Sequence, residues 1–189
     1  GGCEVTMGGN AQVAAAETYI GLVEFGVGLI PGGGGNLMLL RNLAGIYAGG
    51  KDVDAFNFVK KAFLTIGTAK VATSAEEGRE AGFLAPDAYI SMNRDHLLAD
   101  AKARAIGMAE AGFRPPRQST FLLPGRSGAA TVDMSLYDMV LNHQISDHDR
   151  LIGKKLGHVL TGGNTSATAP VTEQQILDLE LEAFLSLCG

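Results

Sequence analysis

The 189-residue sequence is poor in cysteine, and its two, Cys3 and Cys188, lie at opposite ends with no CxxC or other metal-ligand spacing. That fits a reducing compartment. It also lacks any apolar run near the ~18 residues that a membrane span requires. The start, Gly1-Gly2-Cys3-Glu4, has neither the charged beginning nor the apolar stretch of a signal peptide, so the expected location is cytoplasmic. No Lys/Arg block occurs, and 15 Lys+Arg against 20 Asp+Glu give a net charge of -5, which argues against a nucleic-acid or anionic-membrane surface. An initiator Met is missing, and the chain opens inside a glycine-rich stretch, which reads as a truncated product.

What is present is a globular composition, with 46% apolar residues, 19% charged residues and 26 glycines. Residues 1–35 break into short apolar pieces, 12–16 and 19–23, ahead of the run Gly32-Gly33-Gly34-Gly35, a pattern of short strands and tight loops. A helix follows, capped by Asn36 and ended by Gly49-Gly50. Asp52 caps the next, with Ala55, Phe56, Val59, Ala62, Phe63 and Ile66 at helical spacing. A strand at 70–73 leads to Ser74-Ala75-Glu76-Glu77, a capping-box pattern for a short helix that stops at Gly82. The stretch 83–92 is extended, and Asn93 opens an amphipathic helix reaching Gly112. The segment 113–130 is rich in proline and glycine and reads as a connection between a core at 1–112 and a helical extension at 131–189. In the last helix, Glu173, Asp178, Glu180 and Glu182 are assigned to a face opposite Ile176, Leu179, Ala183, Phe184 and Leu187.

Glu4 and Glu24 each end a short apolar segment beside glycines, 20 positions apart. A partly desolvated carboxylate there has its pKa raised toward a range useful for acid/base work, and two of them can take opposite roles toward a proton and a water. Two surface glutamates at strand ends are the plainer alternative.

These residues, Gly-Gly-Cys-Glu followed by Ala-Ala-Glu-Thr-Tyr-Ile-Gly-Leu-Val-Glu-Phe-Gly-Val-Gly-Leu-Ile-Pro-Gly-Gly-Gly-Gly, resemble the crotonase (enoyl-CoA hydratase/isomerase) superfamily, in which two glutamates stand 20 apart. The stretch Ala75 to Leu84 extends the resemblance, and the later part resembles the tail of large bacterial 3-hydroxyacyl-CoA dehydrogenases that carry a crotonase region. The resemblance implies an α/β fold, a partial crotonase-like ββα spiral with a helical C-terminal extension. It implies an enoyl-CoA hydratase (lyase) of fatty-acid β-oxidation, impaired by truncation. Glu4 would hold the water and Glu24 would move the proton. The backbone N–H of Gly1 would be one oxyanion-hole donor, and Gly32 would approach the water. It also implies an acyl-CoA substrate bringing coenzyme A, no cofactor bound by the chain itself, and a homo-oligomer.

Other candidates point elsewhere. The run from Gly26 to Gly35 completes neither GxGxxG nor a P-loop, so no NAD site is expected on the chain. His143, Asp147, His148 and Asp149 read as a helix start rather than a metal site. Arg114, Arg117 and Arg126 are candidates for coenzyme A phosphates, against a surface-loop reading. The rival reading of the whole chain is a non-catalytic module for self-association or partner binding; a double-bond isomerase is a further alternative.

Overall fold

Helical apolar spacing accounts for most of what the chain does in three dimensions. In the computed structural model, which describes residues 1–47 and 54–188, eight α-helices carry the architecture among those residues. They are α1 (Gly2–Met7), α2 (Gly35–Tyr47), α3 (Ala55–Gly67), α4 (Ala75–Ala81), α5 (Leu97–Glu110), α6 (Gly125–Leu141), α7 (Asp147–Leu160) and α8 (Glu173–Leu187). The strands β1 (Val13–Ala15), β2 (Ile20–Gly21), β3 (Val71–Ala72), β4 (Tyr89–Ser91), β5 (Thr120–Leu122) and β6 (Pro170–Thr172) are two or three residues long. They form three separate two-stranded sheets, β1 with β4 in parallel, and β2 with β3 and β5 with β6 antiparallel.

The expected crotonase-like ββα spiral is therefore overturned. Each strand has a single partner, the sheets do not join, and the first motif, Gly2–Met7, closes into a helix instead of a strand and loop. A spiral needs successive layers of longer strands. Here the apolar side chains are buried by helices instead.

The core is built where the periodicity demands it. On α3, Phe58, Val59, Ala62 and Ile66 are buried at i, i+1, i+4 and i+8, against Leu37, Leu39, Leu40 and Leu43 of α2 and Ile152, Leu156, Val159 and Leu160 of α7. Each fully buried Leu, Ile or Val contributes roughly 1.5–3 kcal/mol. Helices α6 and α7 approach closely because α7 turns two glycines toward α6: a Cβ at Gly153 would stand 2.8 Å from Leu136 Cδ1, and one at Gly157 2.8 Å from Val132 Cγ1. Helix α5 is different. Not one of its 14 residues is buried.

The caps follow the sequence in part: Asn36, expected to cap α2, lies inside it, one residue after its start at Gly35, and its side chain donates instead of accepting from the helix amides. Ser74 accepts from the Glu77 amide at 3.1 Å, and α4 ends at Gly82 with φ +86°. Thr172 and Gln175 form a reciprocal capping box on α8, as Ser146 and Asp149 do on α7. The expected Gly49-Gly50 stop and Asp52 cap lie outside the described residues, and within them α3 is capped by Asp54, which accepts from the Phe56 amide at 2.9 Å. The segment 113–130 holds β5 and the start of α6. Thr172→Ala is expected to lower stability by about 1 kcal/mol through loss of the α8 cap, measured by urea unfolding; an unchanged midpoint would show that the box contributes nothing.

Candidate functional site

The loop from Pro31 to Asn36 leads into the first turn of α2, where backbone amides have no partner within the helix. Alternate amides point to opposite sides. Those of Gly33 and Gly35 donate to Glu4 Oε1 at 2.7 and 3.1 Å, and those of Gly34 and Asn36 donate to Glu180 Oε1 and Oε2 at 2.6 and 3.0 Å. The Asn36 side chain adds Nδ2 to Glu180 Oε2 at 2.8 Å and to the Pro31 carbonyl at 3.1 Å. Two carboxylates, one from α1 and one from α8, thus hold the positive end of the α2 dipole between them.

The glycines make this clamp sterically possible. A Cβ at Gly33 would lie 3.0 Å from Glu4 Oε2. At Gly35 it would lie 2.8 Å from Pro31 Cβ and 2.9 Å from Glu4 Oε1, while Gly34 has φ +94°. Gly32 has another role, since a Cβ there would meet the Phe184 ring at 2.6 Å. It makes room for α8.

Glu24 begins a 3₁₀ turn, Glu24–Val27, which sets it beside the start of α1. The Gly1 nitrogen lies 3.2 Å from Glu24 Oε1 and 3.3 Å from Glu4 Oε2, so the fold brings Gly1, Glu4 and Glu24 to one place. Glu24 Oε2 is buried without a hydrogen-bond partner. Cys3, buried next to both glutamates, has its thiol pushed up to about 12, first by burial and then by the Glu24 charge. Cys188 is exposed. A thiol titration at neutral pH is expected to show one rapidly reacting cysteine in the folded chain and a second only on denaturation; two fast thiols would contradict the burial of Cys3.

The chemistry available here is limited. The amides of Gly33, Gly34, Gly35 and Asn36 are taken up by carboxylates of the chain itself, which leaves none of these four for a substrate oxygen. Two cavities, of about 660 and 630 Å³, lie between α5 and residues 10–13 and between α3 and α6, and a third, of about 370 Å³, is lined by Gly2, Cys3 and residues within 13–21; none of the three is lined by Gly1, Glu4, Glu24 or Gly32. The expected hydratase reaction, acyl-CoA substrate and coenzyme A site are overturned by this geometry together with the missing spiral, and with them the description of the chain as a lyase. Arg126 donates to the Asn164 carbonyl at 2.9 Å, Arg114 and Arg117 are exposed, and Asp149 is committed to its capping box. Among the described residues no group of three or more His, Cys, Asp or Glu side chains is placed to hold a metal, and no helix is long and apolar enough to cross a membrane.

Glu180 is the residue that sequence reasoning misplaced. Glu173, Ile176, Glu180 and Ala183 are all buried at spacings of three, four and three, so the two glutamates share the inward face with the apolar residues. Glu173 pairs with Arg41 and accepts from the Ser119 amide at 3.0 Å. The signal was the spacing itself.

No known protein-family profile matches the chain. It is similar to a "Probable 3-hydroxyacyl-CoA dehydrogenase" of Bacillus subtilis (strain 168), 43% identical over 189 residues, all of this chain and 23% of that protein. It is also similar to a "Putative fatty acid oxidation complex trifunctional enzyme" of Rickettsia felis, 26% identical over 187 residues, 99% of this chain and 22% of that protein. A "Peroxisomal fatty acid beta-oxidation multifunctional protein" of Oryza sativa subsp. japonica is 36% identical over 108 residues, 55% of this chain and 13% of its own length. The chain spans about a quarter or less of the length of the relatives it matches. The likeness is thus to part of a 3-hydroxyacyl-CoA dehydrogenase-like protein, and the helical architecture replaces the crotonase fold expected for it.

Proposed function

We propose that this chain is a non-catalytic helical module through which copies of a larger 3-hydroxyacyl-CoA dehydrogenase-like protein associate. The observation that carries the reading is the recurrence of exposed apolar side chains on unburied α5 and on the outer faces of α6 and α8. Leu98 of α5 is 82% exposed, Met134 and Leu141 of α6 are 67% and 58%, and Leu181 and Leu185 of α8 are 54% and 59%. Surface apolar residues scattered singly need no explanation, but their recurrence in pairs on the outer faces of α6 and α8 is what an association surface supplies. In this reading Glu4 and Glu180 anchor the start of α2. Glu24 and Gly1 flank that anchor, and Gly32 admits Phe184.

The test is the thermal midpoint as a function of protein concentration. Association stabilises the folded form by mass action, so the midpoint is expected to rise from low to high micromolar protein. A midpoint independent of concentration would count against the module. A crotonyl-CoA hydration assay on the same samples is expected to give no rate above buffer, and a measurable rate lost in Glu4→Gln would return the pair to catalysis.

A further inference from the structure

We propose that the cavity between α2, residues 9–12 and the segment before β5 is a binding site for a small organic acid, its carboxylate held between Arg41 and Arg117. The cavity measures about 270 Å³. At about 30 Å³ for each water-sized group it has room for roughly nine of them, enough for a short acid and too little for a nucleotide. Arg41, Asn42, Arg117 and Ser119 supply polar parts of its wall, Met7 and Met38 supply apolar ones, and no carboxylate lines it. The site does not depend on association of the chain.

One buried carboxylate brings the two cations together. Glu173, at the start of α8, pairs with Arg41 and accepts from the Ser119 amide at 3.0 Å. The same side chain thus orients the guanidinium on α2 and pins the chain two residues beyond Arg117. Arg41 is committed through one Nη only. Its other Nη has no partner better than the Met38 sulfur at 3.9 Å. Arg117 is exposed at the cavity and forms no hydrogen bond or ion pair among the described residues. Asn42 spends Nδ2 on the Gly82 carbonyl at 2.9 Å, which leaves its second hydrogen free. Two guanidinium groups lining one cavity repel each other until an anion enters between them, and a planar carboxylate matches the fork of each. The chain as a whole carries a charge of -5, so this is a local reversal of sign and no part of a basic surface. The apolar wall selects among anions. A short alkyl chain lies against Met7 and Met38 and excludes water from them, which a bare phosphate ion does not.

Titration of the full chain with sodium hexanoate at fixed ionic strength, followed by the backbone amide and arginine Nε–H signals in heteronuclear NMR, reads the site. The signals of Ser119 and Arg41 are expected to shift and to saturate in the millimolar range, with hexanol giving no such shift. Arg117→Gln is expected to weaken hexanoate binding by about tenfold or more, with helical circular dichroism unchanged. Arg114→Gln, an exposed cation three residues away that does not line the cavity, is expected to leave it unchanged. Equal weakening by both substitutions would show general charge attraction and overturn the site. Inorganic phosphate binding as tightly as hexanoate would overturn the organic acid in favour of a bare oxyanion. Shifts that stay linear in hexanoate, or that spread over the surface without singling out Arg41 and Ser119, would overturn the cavity as a site.

Discussion

Glu180→Ala is expected to lower the unfolding free energy by about 3–5 kcal/mol, the scale for removing one partner from a buried charged network. The side chain is 2% exposed, and its removal strands the amides of Gly34 and Asn36 and the Asn36 side chain, three donors in a dry space. The same residue shapes the acid limb. Burial raises its pKa above the ordinary 4.5, the donors from Gly34 and Asn36 oppose that, and the Glu4 charge adds to the rise. The folded chain therefore keeps this proton to higher pH than the unfolded chain does. Its contribution to stability is fully present below 4.5 and declines as pH rises through the raised value. In Glu180→Ala that decline should disappear from the pH dependence of urea unfolding. A variant with wild-type stability and an unaltered acid limb would show the clamp to be incidental.

Gly157→Leu is expected to have the second large effect, on the order of 3 kcal/mol or more by overpacking. A first carbon there already meets Val132 Cγ1 at 2.8 Å, and Val132 is buried between α6 and α7. The added side chain must push α6 off α7. Because α6 carries the exposed Met134 and Leu141, self-association should fall together with stability, whereas Leu185→Lys, on the outer face of α8, should leave stability near wild type. Circular dichroism melts at fixed concentration check the first half, and a Gly157→Leu protein as stable as wild type would contradict the α6–α7 packing.

How much of this was legible depends on where each signal resides. The spacing of Ala55 to Ile66, the Ser74 cap and the Gly82 stop are local physics, and the structure contains α3 and α4 where those residues place them. The strands were legible as segments but not as sheets, since a two-residue pairing such as Ile20 with Ala72 is decided by tertiary contact rather than by propensity. The family resemblance misled at the N-terminus. Gly2–Met7 reads as a turn beside a strand because of its glycines, yet Cys3, Glu4 and Met7 bury one helical face, and packing overrides the glycine penalty. The carboxylate pair was legible as proximity: Glu4 and Glu24 do meet at Gly1. Assigned to the wrong face was Glu180, 144 residues from Asn36, because an acidic residue on an acidic helix looks solvated until its spacing with Ile176 and Ala183 is counted.

Whether this chain associates is measured, without reference to any activity, by sedimentation equilibrium of the purified chain at several rotor speeds. The monomer is 19.7 kDa. The weight-average mass is expected to climb from this value toward twice it as concentration rises through the micromolar range, and to stay near the monomer value in Met134→Lys. A mass fixed at the monomer value across the whole range, with the helices intact by circular dichroism, would contradict it.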